Sequence, residues 1–298
     1  MNNIYKGSFV ALITPFLDNN LDEDVFQKFI DWQISEGTSG LVPCGTTGES
    51  PTLNHSEHEK IIALTIEVSN GRVPVMAGTG SNSTEEAINL TRYAKKAGAD
   101  SALIVMPYYN KPTQDGMYAH FKAINDAVDL PLFIYNIPGR SVVDMTVETM
   151  VKLAKLENII GVKDASNDPI RPTLLKNALE GQEFIQLSGE DPSQLPFMAA
   201  GGDGIISVTA NVAPNLMAKF HKLWNEGEVV EARILQENMM PLHTSLFLES
   251  NPAPVKYATS LRGVGNSSVR LPLVEITNQT KAAVISALEK LQLNSIIT

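Results

Sequence analysis

The chain of 298 residues has a single cysteine, Cys44, so neither an internal disulfide nor a cysteine-built zinc cluster is available to it. Positive charge is also scarce: 23 lysines and arginines face 33 aspartates and glutamates, for a net charge of −10 and a pI near 5.0. Such a balance argues against nucleic acid or an anionic membrane as the main partner, although an acidic protein can still carry a locally positive pocket for a small anion. No apolar run approaches the length needed to span a bilayer. The opening MNNIYKGSFVALITP is too briefly apolar for a secretory signal and is interrupted by Pro15, so a cytoplasmic protein is expected. No G-x-G-x-x-G follows the first apolar run, and His55 and His58 in HSEH have no third metal ligand nearby.

What the chain does have is repetition. Eight short apolar runs recur: FVALITP from Phe9, GLVPCG from Gly40, VPVMAGTG from Val73, SALIVMPYY from Ser101, PLFIYNIP from Pro131, IIGVKDAS from Ile159, FIQLSGED from Phe184 and GIISVTAN from Gly204. None alternates apolar with polar, which marks strands covered on both faces, as in a parallel sheet. Helical periodicity lies between them; Val25, Phe26, Phe29, Ile30 and Ile34 share one face of the first such stretch. Ser83 with Glu86 three residues on has the form of a capping box, and Gly37, Gly98 and Gly181 stand where helices should end. Eight β-α units predict an α/β fold, a (β/α)8 TIM barrel over residues 1–226. A small C-terminal helical extension over 227–298 follows, with helices over 229–249 and 274–291 and a boundary at Pro252 and Pro254.

Barrels of this kind keep their chemistry at the C-terminal ends of the strands. The residues there are Thr46 and Thr47 after the second run, Tyr108 and Tyr109 after the fourth, and Tyr135, with Arg140 beyond it, after the fifth. Lys163 closes the sixth run, Gly189 and Glu190 the seventh, and Ile206 the eighth. A lysine at the tip of an apolar strand has two readings. It is a structural ion pair, or it is a nucleophile that burial helps to deprotonate; at an ordinary pKa only about one lysine in a few thousand is neutral at pH 7. A neutral lysine forms an imine with a ketone and turns the adjacent carbon into a nucleophile. Tyrosine and threonine hydroxyls can relay the protons, and arginine offers a planar fork to a carboxylate. The tyrosines read equally as rim aromatics, and Gly-Thr-Thr-Gly as a plain turn. Lys111 sits in a polar loop, and Cys44 is expected to be a small core residue.

In this order and spacing, GTTGES, YYNKP, YNIPGR, GVKDAS and GIISVTANVAPN resemble the pyruvate-dependent class I aldolases, the superfamily that includes N-acetylneuraminate lyase. The Thr-Thr pair, where sialic acid lyases typically have Ser-Thr, and Arg140 in IPGR resemble the dihydrodipicolinate synthase family in particular. PLHTSLFLESNPAPVKYA carries the likeness into the helical extension.

The resemblance implies a lyase that condenses pyruvate with L-aspartate 4-semialdehyde through an imine on Lys163, with no separate cofactor or metal. The reaction would be the first committed step of lysine biosynthesis by the diaminopimelate route. It implies a proton relay of Tyr135, Thr46 and Tyr109, with Tyr109 reaching in from a neighbouring subunit of a homotetramer built as a dimer of dimers. Thr47 would hold the pyruvate carboxylate and Arg140 that of the aldehyde, with Gly189, Glu190 and Ile206 lining the pocket. Ser50, His55, His58, Asn82, Glu86 and Tyr108 match positions that bind inhibitory L-lysine in sensitive members. A lyase or aldolase acting on N-acetylneuraminate or a 2-keto-3-deoxy sugar acid, and a non-catalytic metabolite binder, are the competing functions.

Overall fold

The computed structural model describes residues 2–293. All eight expected strands are present: Gly7–Ala11, Gly40–Val42, Met76–Gly78, Ser101–Val105, Leu132–Asn136, Ile159–Asp164, Ile185–Ser188 and Gly204–Ser207. They are parallel and, with the helices between them, make a (β/α)8 barrel followed by further helices. Most strand residues are buried, every residue of Gly7–Ala11 and Leu132–Asn136 included, which is why the runs do not alternate. A two-stranded hairpin, Phe16–Leu17 with Asn20–Leu21, was not expected. Its turn residues Asp18 and Asn19 both have positive φ, the requirement of a tight two-residue turn that Asp and Asn tolerate.

The chain divides into two compact units. One comprises residues 1–6 and 74–206. Its helical layer packs Met117, Phe121, Ile124, Met150 and Leu153 against Ile104, Leu132, Ile134 and Val162 of the strands. On the other side of the sheet, Phe133 lies against Gly161, where an added Cβ would fall 2.5 Å from the ring, and Tyr5 meets Phe133 edge-on at 5.1 Å. The glycine in the sixth run is therefore room for a phenylalanine. The register slips between the fifth and sixth strands, from Leu132↔Ile159 to Phe133↔Gly161, so Ile160 is an extra residue. Beyond that bulge Lys163 lies opposite Tyr135 and Asp164 opposite Asn136.

The helix Thr84–Ala97 begins at Ser83, whose hydroxyl accepts from the Glu86 N–H at 3.5 Å. The return arm of the expected capping box is absent. The Glu86 carboxylate takes the Ser81 hydroxyl instead, and the Ser83 N–H also goes to Ser81 Oγ. Gly98 caps this helix at φ +98°, and Gly37 and Gly181 likewise have positive φ at helix ends.

The second unit comprises residues 7–73 and 207–298. Here the first strand pairs with the second, Phe9 opposite Gly40 and Ala11 opposite Val42. The helix Glu23–Ser35 buries Phe26, Phe29 and Ile30 as expected, together with Gln33, whose amide donates to the Ala210 carbonyl. The helix His55–Ser69 starts with a complete capping box at Asn54 and Glu57, which was not among the expectations.

The C-terminal helices differ in extent from the expectation. The first, Val229–Ser245, stops short of 249. A further helix, Ala253–Leu261, opens at the boundary expected at Pro252 and Pro254. Pro254 sits in its first turn, where no N–H partner is needed, so the expected boundary is the start of this helix. The last, Asn278–Lys290, begins only after Thr277, whose hydroxyl caps the Thr280 N–H.

Candidate active site

Successive residues of a strand face opposite sides, so Lys163 and Asp164 part company. Asp164 accepts from the Ser166 N–H at 2.8 Å, from the Ser166 hydroxyl and from Asn136 Nδ2 at 3.3 Å, with Arg171 Nε 3.7 Å away. Arg171 also clamps Asp144, at 2.8 and 3.1 Å. Burial pushes the Asp164 carboxyl above the ordinary aspartate value, opposed by the bonds from Ser166 and the charge of Arg171.

Lys163 has no share in this network. It is 5% exposed, no carboxylate lies within ion-pair distance among the described residues, and its Nζ stands 4.1 Å from the centre of the Tyr135 ring. The ion-pair reading of Lys163 therefore falls. What remains is a buried amine on an aromatic face, beside a phenol that is itself 6% exposed.

Space is kept open beside that amine. Gly189 donates its N–H to the Asp164 carbonyl at 2.7 Å, and an added Cβ there would lie 3.2 Å from Lys163 Cε and 2.7 Å from Ala165 Cβ. The next residue, Glu190, has its backbone held by Ser188 Oγ at 3.1 Å in both directions. Its carboxyl is pushed up to about 7, first by burial and then by the charge of Asp191, while Lys163 and Arg140 pull it down. Glu190 thus shares one electrostatic environment with both. Arg140 is exposed on the short helix Pro138–Ser141, and Ile206 is buried in the eighth strand.

The folded state holds the Glu190 proton more tightly than an unfolded chain, whose carboxyl has the ordinary 4.5. That contribution to stability is complete below about pH 4.5 and is lost as pH rises through about 7. Glu190→Gln, which cannot ionise, should escape the loss. Between about pH 5 and about pH 8 the wild-type melting temperature should fall relative to the variant's, and parallel thermal melts would contradict the assignment.

Asn82, Glu86 and Tyr108 are also brought together. Asn82 Nδ2 donates to the Tyr108 carbonyl at 3.3 Å and Asn110 Nδ2 to the Asn82 carbonyl at 2.8 Å. The Tyr108 hydroxyl pKa is raised by burial and then by the charge of Glu86. Tyr109 does not join Tyr135; it is 89% exposed, with φ +72°.

Thr46, Thr47, Ser50, His55 and His58 belong to the other unit. Thr47 is buried and its hydroxyl accepts from Asn251 Nδ2 at 3.0 Å; Gly48 gives its carbonyl to Thr14 Oγ1 at 2.7 Å. Glu49, closing the Gly-Thr-Thr-Gly turn with φ +56°, places Oε1 2.7 Å from Lys256 Nζ and accepts the Arg270 N–H at 3.0 Å through Oε2. Both side chains of the Glu49–Lys256 pair are essentially sealed from solvent, and Lys256 and Arg270 each sit 4.2 Å from the Phe16 ring centre. Burial lowers the Lys256 pKa, and Glu49 opposes the shift.

Thr46, half-buried, occupies the same turn, and Ser50 opens the short helix Ser50–Thr52. His55 is exposed and His58 buried at the start of their helix. Cys44 is a core residue, its thiol pushed well up by burial and directed at the His58 carbonyl. Asn251, Lys256 and Arg270 were missed. The one available signal was a lysine inside the apolar PAPVKYA. Among the described residues no three His, Cys, Asp or Glu side chains are grouped to hold a metal.

Comparison with known proteins gives a consistent picture. The model of the dihydrodipicolinate synthetase family matches residues 4–291. The 4-hydroxy-tetrahydrodipicolinate synthase of Rhodospirillum centenum is 60% identical over 288 residues, 96% of this chain and 98% of its own length. Among solved structures, the chloride-inhibited dihydrodipicolinate synthase of Acinetobacter baumannii, complexed with pyruvate, superposes with a TM-score of 0.94 at 45% identity. That match covers 97% of this chain and 99% of the other. The enzyme of Cyanidioschyzon merolae with lysine bound superposes with a TM-score of 0.94 at 36% identity, over 97% and 99% of the two chains.

Proposed function

Because the chain belongs to the dihydrodipicolinate synthetase family, a family of Schiff-base-forming lyases, we propose that it condenses pyruvate with L-aspartate 4-semialdehyde on Lys163 to give 4-hydroxy-tetrahydrodipicolinate. The observation that carries this reading is Lys163 itself: a buried amine without an ion-pair partner among the described residues, resting on Tyr135, with Gly189 keeping the adjoining space clear.

The neutral amine attacks the pyruvate ketone to give a carbinolamine, which loses water to form the imine. The imine withdraws electrons, a methyl proton leaves, and the enamine carbon attacks the aldehyde, whose oxygen is protonated to a hydroxyl. The amine of the second substrate then attacks the imine carbon, closing the ring and expelling Lys163 as a free amine. The imine is the electron sink, so the chemistry needs no separate cofactor.

In this reading Tyr135 and Thr46 pass protons with Tyr109, whose exposure suits a residue lent to a neighbouring subunit of a tetramer. Thr47 donates to the pyruvate carboxylate, Arg140 takes that of the aldehyde, and Gly189, Glu190 and Ile206 form the pocket wall. The helices after residue 226 are an addition to the barrel. We assign the enzyme to the cytoplasm and to the start of lysine synthesis by the diaminopimelate route. L-lysine would inhibit it through Ser50, His55, His58, Asn82, Glu86 and Tyr108. Support comes from the lysine-bound relative and from the packing of Asn82 and Glu86 around Tyr108.

The test is borohydride reduction in the presence of pyruvate, read by peptide mass spectrometry, beside a turnover assay with aspartate semialdehyde. A reduced pyruvyl adduct on Lys163 with turnover is expected, and added L-lysine should slow that turnover. An adduct without turnover would favour a sugar-acid aldolase, and no adduct would overturn the mechanism.

A further inference from the structure

The Gly45–Glu49 turn is gripped from one segment of the C-terminal region at two points. Asn251 holds Thr47, and five residues later Lys256 holds Glu49. All four side chains are buried. So much attachment is more than a surface turn needs, and its first point touches a hydroxyl to which the proposed reaction gives a task.

The direction of that contact matters. A threonine hydroxyl has one proton to give and lone pairs to receive with. Asn251 Nδ2 donates to Thr47 Oγ1, which occupies a lone pair and leaves the Thr47 proton free to point elsewhere. Asn251 Oδ1 is buried and takes no hydrogen bond among the described residues, so the amide is held here by its donor end. An unsatisfied buried carbonyl oxygen is unfavourable, and an apolar side chain would avoid it.

We infer that Asn251 is a positioning residue that, by donating to Thr47 Oγ1, aims the Thr47 hydroxyl proton at the pyruvate carboxylate. The buried Lys256–Glu49 pair holds the Asn251 segment against the turn. This rests on the reading of Thr47 given above. It adds a residue that never touches substrate but sets the affinity for one substrate and not the other.

Asn251→Asp is the informative change, because a carboxylate only accepts. It would draw the Thr47 proton to itself and add a charge of the same sign as the substrate's. The KM for pyruvate should rise about tenfold or more, the worth of a hydrogen bond to a charged group, while the KM for the aldehyde stays within about twofold. A general disturbance of the fold would move both.

Should the buried charge prevent folding, Asn251→Ala serves in a double-mutant cycle with Thr47→Val. It should weaken pyruvate use in the wild-type background and add less than about twofold when Thr47 has already been replaced. Pyruvate KM values unchanged by Asn251→Asp, or an undiminished Asn251→Ala effect in the Thr47→Val background, would overturn the inference while the synthase reading stands. Absence of any pyruvate adduct in the wild type would overturn both.

Discussion

Lys163→Arg is expected to abolish pyruvate trapping and to lower turnover by on the order of 10⁴-fold or more, the scale on which removal of a covalent nucleophile acts. Arginine keeps the positive charge and can still lie on the Tyr135 ring, so electrostatic and packing roles are largely preserved. Its guanidinium stays protonated at any accessible pH and has no lone pair to offer a ketone. If Lys163 worked only as a buried cation, the variant would retain much of its activity. The proposed imine leaves only that residual turnover. The measurement is kcat with both substrates, with a thermal melt to establish that the variant is folded. Substantial turnover by a folded Lys163→Arg variant would refute the covalent mechanism.

Lys256→Ala is expected to be the most destabilising single change in the helical region, by about 3–5 kcal/mol. Lys256 is fully buried and lies 2.7 Å from a Glu49 oxygen that is sealed just as well. Removing the ammonium strands a carboxylate away from water, with the Arg270 backbone N–H as its remaining donor among the described residues. It also opens a hole beside Phe16. The penalty arises from the orphaned charge more than from lost attraction, so the change that also removes that charge should be milder. Lys256→Met with Glu49→Gln should recover most of the stability. Denaturant unfolding of the single and double variants measures this. A double variant no more stable than Lys256→Ala would show that the pair contributes by attraction, contrary to the argument.

The two lysines show what could and could not be read ahead. Lys163 was legible because its setting is local: an apolar run on one side, and a position at the end of a strand in a repeating β-α pattern. Periodicity and run length report burial along the chain, and burial made the lysine conspicuous. Lys256 is buried more completely, yet in the sequence it stands only beside the boundary at Pro252 and Pro254. Its partner Glu49 is 207 residues away, and nothing in either neighbourhood marks the pairing. Asn251 and Thr47 share that difficulty. The Ser83 motif erred in the other direction. A capping box was read from spacing, but Ser81, two residues earlier, intercepts Glu86, a competition between hydroxyls that spacing does not encode.

By itself the sequence determined the eight buried strands, the barrel they imply, and the residue types at the strand ends, since these follow from hydrophobic run length and from turn chemistry within a few neighbours. Tertiary structure alone decided that Lys163 rests on Tyr135 with no ion-pair partner among the described residues, while Asp164 turns to Arg171. It also decided that burial pushes the carboxyl of Glu190 up to about 7, and that the threonine turn is held by Asn251 and Lys256. Those outcomes depend on charges and hydrogen-bonding groups meeting inside a medium with little water. Their strength is set by distance and burial in space, and neither is written into the order of residues along the chain.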